Sequence, residues 1–255
     1  MIHREQVSAA VSVLRLDHGP VSAMDLELLE AIRAEVAKCA ADDSAIVITG
    51  TGRAFSAGVD LRRILDGGAG YIDRFLPALT GAFEDVLRYR RPVVAAANGH
   101  AIAGGCVLVC CADIRLMAAG TGRIGVPELL VGVPFPAMGL AAVRIATGDG
   151  GIQEVIYTGA TYLPEEAQRR GLVDEVVPEA ELLERAIARA EQLAAIPPVA
   201  YWQTKRSLRG PILDWAVGPE CRQADEEMTE TWKSPESAAA IAAYVEKTLG
   251  ARRPS

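Results

Sequence analysis

Short runs of consecutive apolar residues alternate, over the first half of the chain, with segments whose apolar positions recur every three or four residues. Residues 6–16 carry Val7, Val11, Val13, Leu14 and Leu16 and predict a hairpin or bent strand. Ser22-Ala23-Met24-Asp25 has the form of a capping box with Ser22 as N-cap. Leu28, Ile32, Val36 and Cys39 follow at the spacing of one helical face. Ala45–Thr49 is a wholly apolar run closed by Thr and bounded by Asp43 and Gly50, the pattern of a strand buried on both sides. The sequence repeats this alternation with a helix over 72–90, a buried strand over 92–97, a helix over 104–112 and a strand over 114–117. Strands and helices joined by short connections predict an α/β layered fold.

Beyond about residue 136 the pattern becomes helical. Helices are expected over 139–147, 150–158, 164–170, 180–195, 197–209, 218–231 and 235–249, with one strand over 172–177. Pro197-Pro198 is the best boundary, dividing a body of residues 1–196 from a helical region of residues 197–255. Aromatics make up only 5% of the 255 residues, so the core must be built from Ala, Val, Leu and Ile.

The net charge of −7 argues against nucleic-acid binding, which needs a basic footprint. No apolar stretch is long enough to span a membrane, and the N-terminus lacks a secretory h-region. Five cysteines, an odd number without a Cys-x-x-Cys pair, fit reduced thiols. Together these predict a soluble cytoplasmic protein. His3, His18 and His100 have no ligand spacing, so no metal site is expected.

Two glycine-rich turns link a buried strand to a helix: Gly50–Leu61 and Asn98–Cys106. Glycine there permits positive φ and close backbone approach. A helix N-terminus offers unsatisfied N–H groups. Two such turns side by side can aim two donors at one oxygen. Neither turn carries a Walker or dinucleotide-binding pattern, and such turns also serve simply to pack.

Phe55-Ser56-Ala57-Gly58-Val59-Asp60-Leu61, the run Pro92–Cys106, Ala112-Asp113-Ile114-Arg115, Gly125-Val126-Pro127-Glu128, Thr158-Gly159 and Gly171-Leu172-Val173-Asp174 occur in an order that resembles the crotonase (enoyl-CoA hydratase/isomerase) family. The resemblance runs from about residue 6 to 250. It implies an α/β crotonase-like ββα spiral core with a helical C-terminal trimerisation region, and a homotrimer or hexamer. It implies an acyl-CoA substrate, with coenzyme A present only as part of that substrate and no separate cofactor. It assigns the oxyanion N–H groups to Val59 and Gly104 and an acid to Glu128. Ser56, Ala57, Gly58, Asp60, Leu61, Gly105, Val107, Val133 and Phe135 become candidate substrate-binding residues.

Hydratases of the family use two carboxylates, and the position of the first is here Val107. A single carboxylate can still move a proton from C2 to C4 of a 3-enoyl thioester through a dienolate. Δ3,Δ2-enoyl-CoA isomerisation is therefore the first expectation. Hydration by Glu128 and a water held by backbone is the alternative, and a non-catalytic acyl-CoA-binding subunit a third. Decarboxylation and hydrolysis also use an oxyanion hole. The family's Gly-rich stretch after the second acid is replaced by the bulkier Val133–Leu140, which implies a dry acyl pocket. Burial there would raise the pKa of Glu128. Asp60 is expected to cap a helix, Asp113 to make a structural hydrogen bond, and the charges over 222–233 to form a solvated face. Arg53, Lys205 and Arg206 are candidates for a CoA phosphate.

Overall fold

The computed structural model describes residues 1–249; residues 250–255, the end of the expected C-terminal region, lie outside the described residues. The chain runs β1 (Ile2–Gln6), β2 (Val11–Leu16), α1 (Leu26–Ala41), β3 (Ala45–Thr49), β4 (Ala54–Ser56), α2 (Leu61–Leu87), β5 (Val93–Ala97), β6 (His100–Ile102), α3 (Gly104–Cys111), β7 (Ile114–Ala118), β8 (Ile124–Gly125) and α4 (Glu128–Val131). It continues through α5 (Ala137–Thr158), β9 (Thr161–Tyr162), α6 (Pro164–Arg169), β10 (Glu175–Val177), α7 (Leu182–Ala194), α8 (Pro198–Ala216), α9 (Pro219–Lys233) and α10 (Pro235–Leu249). Among the described residues no helix is long and apolar enough to cross a membrane.

A six-stranded sheet has the order β1-β2-β3-β5-β7-β10, and a smaller one the order β4-β6-β8-β9. The large sheet is parallel except for β1. Three consecutive turns of chain (β3-β4-α2, β5-β6-α3 and β7-β8-α4) each place one strand in each sheet before entering a helix. That is the expected ββα spiral.

The apolar runs of β3 and β5 follow from burial on both faces. Ile46, Ile48, Val93, Ala95 and Ala97 enter the main core with α1, α2, α3 and α5. Ala45, Val47, Val94 and Ala96 face the other way, onto Leu182, Ala186 and Ala190 of α7. Arg115 grips Asp174 through two side-chain contacts of 3.0 and 2.6 Å and one from its backbone N–H of 2.8 Å, fixing the chain entering β10 against β7. Asp113 accepts from Val93 N at 2.8 Å, the structural bond expected of it.

Several boundaries differ from expectation. The N-cap of α1 is Asp25, which accepts from Leu28 N at 2.9 Å, and not Ser22. The helix expected over 72–90 starts at Leu61, bends at Gly68 (φ 58°) and ends at Leu87. The two helices expected over 139–158 are merged as α5, with a kink at Gly148. The expected strand 172–177 is confined to Glu175–Val177. Helix α8 runs seven residues past 209, to Ala216.

Candidate active site

The two glycine turns meet at the C-terminal ends of β3 and β5. The Asn98 side chain ties them together: its Oδ1 accepts from Gly50 N at 2.8 Å and its Nδ2 donates to Gly52 O at 2.9 Å. The first turn is also held by the segment Val21–Asp25. Ala57 N donates to Val21 O, Met24 N to Gly58 O and Asp60 N to Met24 O, at 2.9, 2.7 and 2.9 Å. Ser56 Oγ donates to Ser22 O at 2.7 Å and accepts from Gly58 N at 3.1 Å. Residues 58 and 60 thus bond to Met24 in the manner of a parallel strand. Alternation along an extended backbone turns the intervening N–H of Val59 to the opposite side.

Glycine is required at position 58. Its φ is +78°, and a Cβ there would stand 2.4 Å from Ile102 O, 2.7 Å from Ala103 Cβ and 3.0 Å from Gly104 N. The same contact brings the two turns within a few ångströms. Gly104 opens α3 after Ala103, a non-glycine residue at φ +53°. Its N–H belongs to the first turn, where a helix has no internal acceptor to offer.

Val59, Gly104, Val107, Phe135 and Glu128 all line one small cavity of about 20 Å³, with Leu79 and Phe83 of α2, Pro134, Pro136, Gly139 and Trp232 completing it. Glu128 is the only ionisable group among these. It begins α4, after the Pro127 N-cap, and the left-handed Gly132 ends that single turn. Its side chain is buried, and Oε2 has no hydrogen-bond partner among the described residues. Burial pushes its pKa up to about 8, as desolvation of the charged form requires. A carboxyl so placed is poised to exchange protons near neutrality. Two backbone donors nearby suit an oxygen that gains charge.

The other expected residues stand around this cavity but not on its wall. Ser56 is fully buried in the turn scaffold. Asp60 caps α2, accepting from the Arg62 and Arg63 N–H groups, both at 3.1 Å, as the sequence predicts. Gly105 lies against Ser56, where a Cβ would be 2.4 Å from its carbonyl oxygen. Val133 is core, and Ala57 and Leu61 are partly buried.

Lys205 is buried and bonded to Asp113 at 2.7 Å, so the structure gives it a structural role in place of a phosphate contact. Arg53 and Arg206 are exposed. His100 accepts from Arg123 N at 3.2 Å, and His3 and His18 pair with Asp17 and Asp25.

Sequence reasoning missed three residues of the cavity wall, Leu79, Phe83 and Trp232. The 222–233 segment is solvated on one face only; Cys221, Met228 and Trp232 are buried on the other. Their spacing of seven and four residues is a helical face, the signal that identifies it. The indole N–H donates to Pro134 O at 2.9 Å, so α9 contributes one wall of the cavity.

The chain is similar to a probable enoyl-CoA hydratase of Rhizobium meliloti, 36% identical over 166 residues that cover 64% of this chain and 63% of that one. The matches to the first four curated relatives span 63–65% of their lengths. Among solved structures it resembles an enoyl-CoA hydratase of Mycobacterium ulcerans at 27% identity and a TM-score of 0.81, covering 91% of this chain and 99% of that one. The human mitochondrial Δ3-Δ2-enoyl-CoA isomerase superposes with a TM-score of 0.93 over 99% of both chains; at 24% identity this likeness concerns the fold. The family model described as enoyl-CoA hydratase/isomerase matches residues 6–250. With the ββα spiral and the paired glycine turns, that match across nearly the whole sequence places the chain in the enoyl-CoA hydratase/isomerase family.

Proposed function

We propose that the protein converts 3-enoyl thioesters of coenzyme A to their 2-enoyl isomers. The Glu128 carboxylate takes a proton from C2. The electron pair delocalises into a dienolate whose negative charge rests on the thioester oxygen, facing the N–H groups of Val59 and Gly104. Glu128, now protonated, delivers the proton to C4, the double bond moves to C2–C3 and the carboxylate is regenerated. Each backbone donor contributes roughly 3–4 kcal/mol to such an intermediate. The observation that carries this reading is the lone ionisable group on the cavity wall, Glu128, with apolar Val107 lining the same space. Without a second carboxylate, Glu128 alone would have to hold the attacking water and carry its proton to C2.

Hydration of 2-enoyl-CoA is the second reading. The names of relatives such as the probable hydratase of Rhizobium meliloti favour it. The cavity of about 20 Å³ is also enough for one water. Supplying trans-3-hexenoyl-CoA and, separately, crotonyl-CoA separates the two. Isomerisation is expected to exceed hydration by at least about tenfold, a difference in barrier of roughly 1.4 kcal/mol. Hydration of equal or greater rate would reverse the order. Binding of both thioesters without turnover would identify an acyl-CoA-binding subunit instead.

The same assay has a pH signature. A base must start ionised, and Glu128 has its pKa raised to about 8 by burial. The isomerisation kcat/KM is therefore expected to climb with pH and level off above about 8. A profile already flat from pH 6 would mean that burial does not raise the pKa of Glu128.

We also propose assembly as a homotrimer or a dimer of trimers, in a reducing cytoplasm that suits the five buried free thiols. Support for assembly comes from apolar side chains left in solvent: Leu130 (63% exposed), Tyr157 (70%), Leu208 (73%) and Trp215 (42%). Tyr157 and Trp215 line an open hollow of about 710 Å³, and Leu208 lines another of about 700 Å³; Arg144 and Asp149 belong to both. Several large apolar side chains exposed around neighbouring hollows mark an interface. Light scattering is expected to give three or six times the chain mass of 27.0 kDa. Leu208→Asp with Tyr157→Asp should shift it toward one, and a monomeric wild type would overturn the proposal.

A further inference from the structure

Trp232 has no place in the proton transfer, yet it forms a wall of the reaction cavity. It is 3% exposed. Its indole is held by the hydrogen bond to Pro134 O. Helix α9 is pinned on both sides of it. Asp225 Oδ1 accepts from Ala137 N at 2.9 Å, at the start of α5, and Lys233 Nζ meets Asp73 of α2 at 2.8 Å. Trp232 therefore sits on an anchored part of the wall, which Leu79 and Phe83 of α2 and Phe135 also line. The space between these side chains, about 20 Å³, is of the order of one water and smaller than any acyl chain. A substrate must displace part of the wall, and each further carbon must displace more of it.

We propose that Trp232 is the specificity-determining residue that limits the acyl pocket and makes the protein favour short acyl chains. This rests on the assignment of the Glu128 cavity as the acyl-CoA site, and it extends that assignment to substrate class. Short chains displace little of this wall. Longer ones have to break the Trp232–Pro134 bond and move α9 against its two anchors. Replacing the indole by a methyl group turns that barrier into apolar space. Each methylene that then enters adds about 0.8 kcal/mol of burial, or about fourfold in kcat/KM.

The test is a chain-length series of 3-enoyl-CoA substrates, read as kcat/KM with wild type, Trp232→Ala and Trp232→Phe. The same series of saturated acyl-CoAs is measured in parallel by direct binding. Wild type should fall at least about tenfold between six and ten carbons. Trp232→Ala should raise the ten-to-six ratio at least about tenfold, an effect of about 1.4 kcal/mol, with Trp232→Phe between them. A wild-type profile that stays level to ten carbons, or one left unchanged in both variants, would overturn the proposal. If Trp232→Ala fails to fold, the wild-type series and Trp232→Phe decide it alone. The saturated series keeps the two readings apart. A chain-length step that moves with residue 232, without turnover of any 3-enoyl-CoA, would leave this inference standing and remove the isomerase.

Discussion

Glu128→Gln is expected to reduce isomerisation by roughly 10²–10⁴-fold or more and at the same time to stabilise the folded chain. The first effect follows from chemistry. A carboxamide cannot take the C2 proton, and no other ionisable group among the described residues lines the cavity. The second follows from linkage. The folded pKa of Glu128 is raised from 4.5 to about 8, so between those values the unfolded chain releases a proton that the folded chain retains. Stability is then highest below about pH 4.5 and falls as pH rises toward 8. A shift of that size corresponds to a loss on the order of 5 kcal/mol. Glutamine has no charge to desolvate and resembles the protonated acid. The variant's advantage in denaturant midpoint should be small at pH 4.5, grow through neutrality and level off above 8. Full turnover in the variant would dismiss Glu128 as the proton carrier. A stability difference independent of pH would show that the carboxyl is not desolvated. A gain in stability coupled to a loss of activity at one residue is what a strained, functional carboxyl produces.

The parts of this site that the sequence reveals are those written in backbone chemistry. Gly58 is legible because no other residue permits its contact with the second turn. Asp60 is legible because a carboxylate ahead of a helix has N–H groups to accept from. The buried strands β3 and β5 are legible because a sheet covered on both faces leaves no polar positions. The small sheet is not: β4, β6, β8 and β9 have two or three residues each, too few to show any periodicity. The start of α2 is hidden by Gly67, Gly68 and Gly70, which read as a loop although only Gly68 leaves the helical region. Ser22 and Asp25 both have capping side chains. The choice between them is tertiary, since the Ser22 carbonyl is taken by Ser56 and its φ is +47°. Trp232 is obscured in a different way. Its neighbours in sequence are charged, and its partners on α2 are some 150 residues away.

Asp113→Ala should produce the largest loss of stability, in a part of the molecule that takes no part in the proposed chemistry. Asp113 stands between two buried cations on α8. Its Oδ2 is 2.7 Å from Lys205 Nζ and its Oδ1 is 2.9 Å from Arg209 Nη2. Lys205 and Arg209 are 5% and 8% exposed. Arg209 also donates to Cys111 O and Ala112 O at 2.9 and 2.8 Å, and Lys205 is pushed down to about 8 by burial, against the pull of Asp113. Alanine leaves two positive charges without a counterion and Val93 N without its acceptor. Breaking a buried pair in this way costs about 3–5 kcal/mol, or roughly 10 °C in Tm for a chain of this size. The pH dependence identifies the cause. A lysine whose folded pKa lies below its unfolded value makes the folded state bind fewer protons, so stability rises with pH across that interval. Without Asp113 the folded value of Lys205 drops further and the interval widens downward, while a guanidinium keeps its charge throughout. The deficit of Asp113→Ala should therefore be greatest at the acid end of the added interval, shrink as pH rises toward about 8 and stay level above it. Asp113→Asn, which keeps an acceptor for Val93, should fall between it and wild type. A deficit below about 1 kcal/mol, the range of exposed pairs, would mean that water reaches the cluster and that α8 is held to the body by its apolar contacts alone.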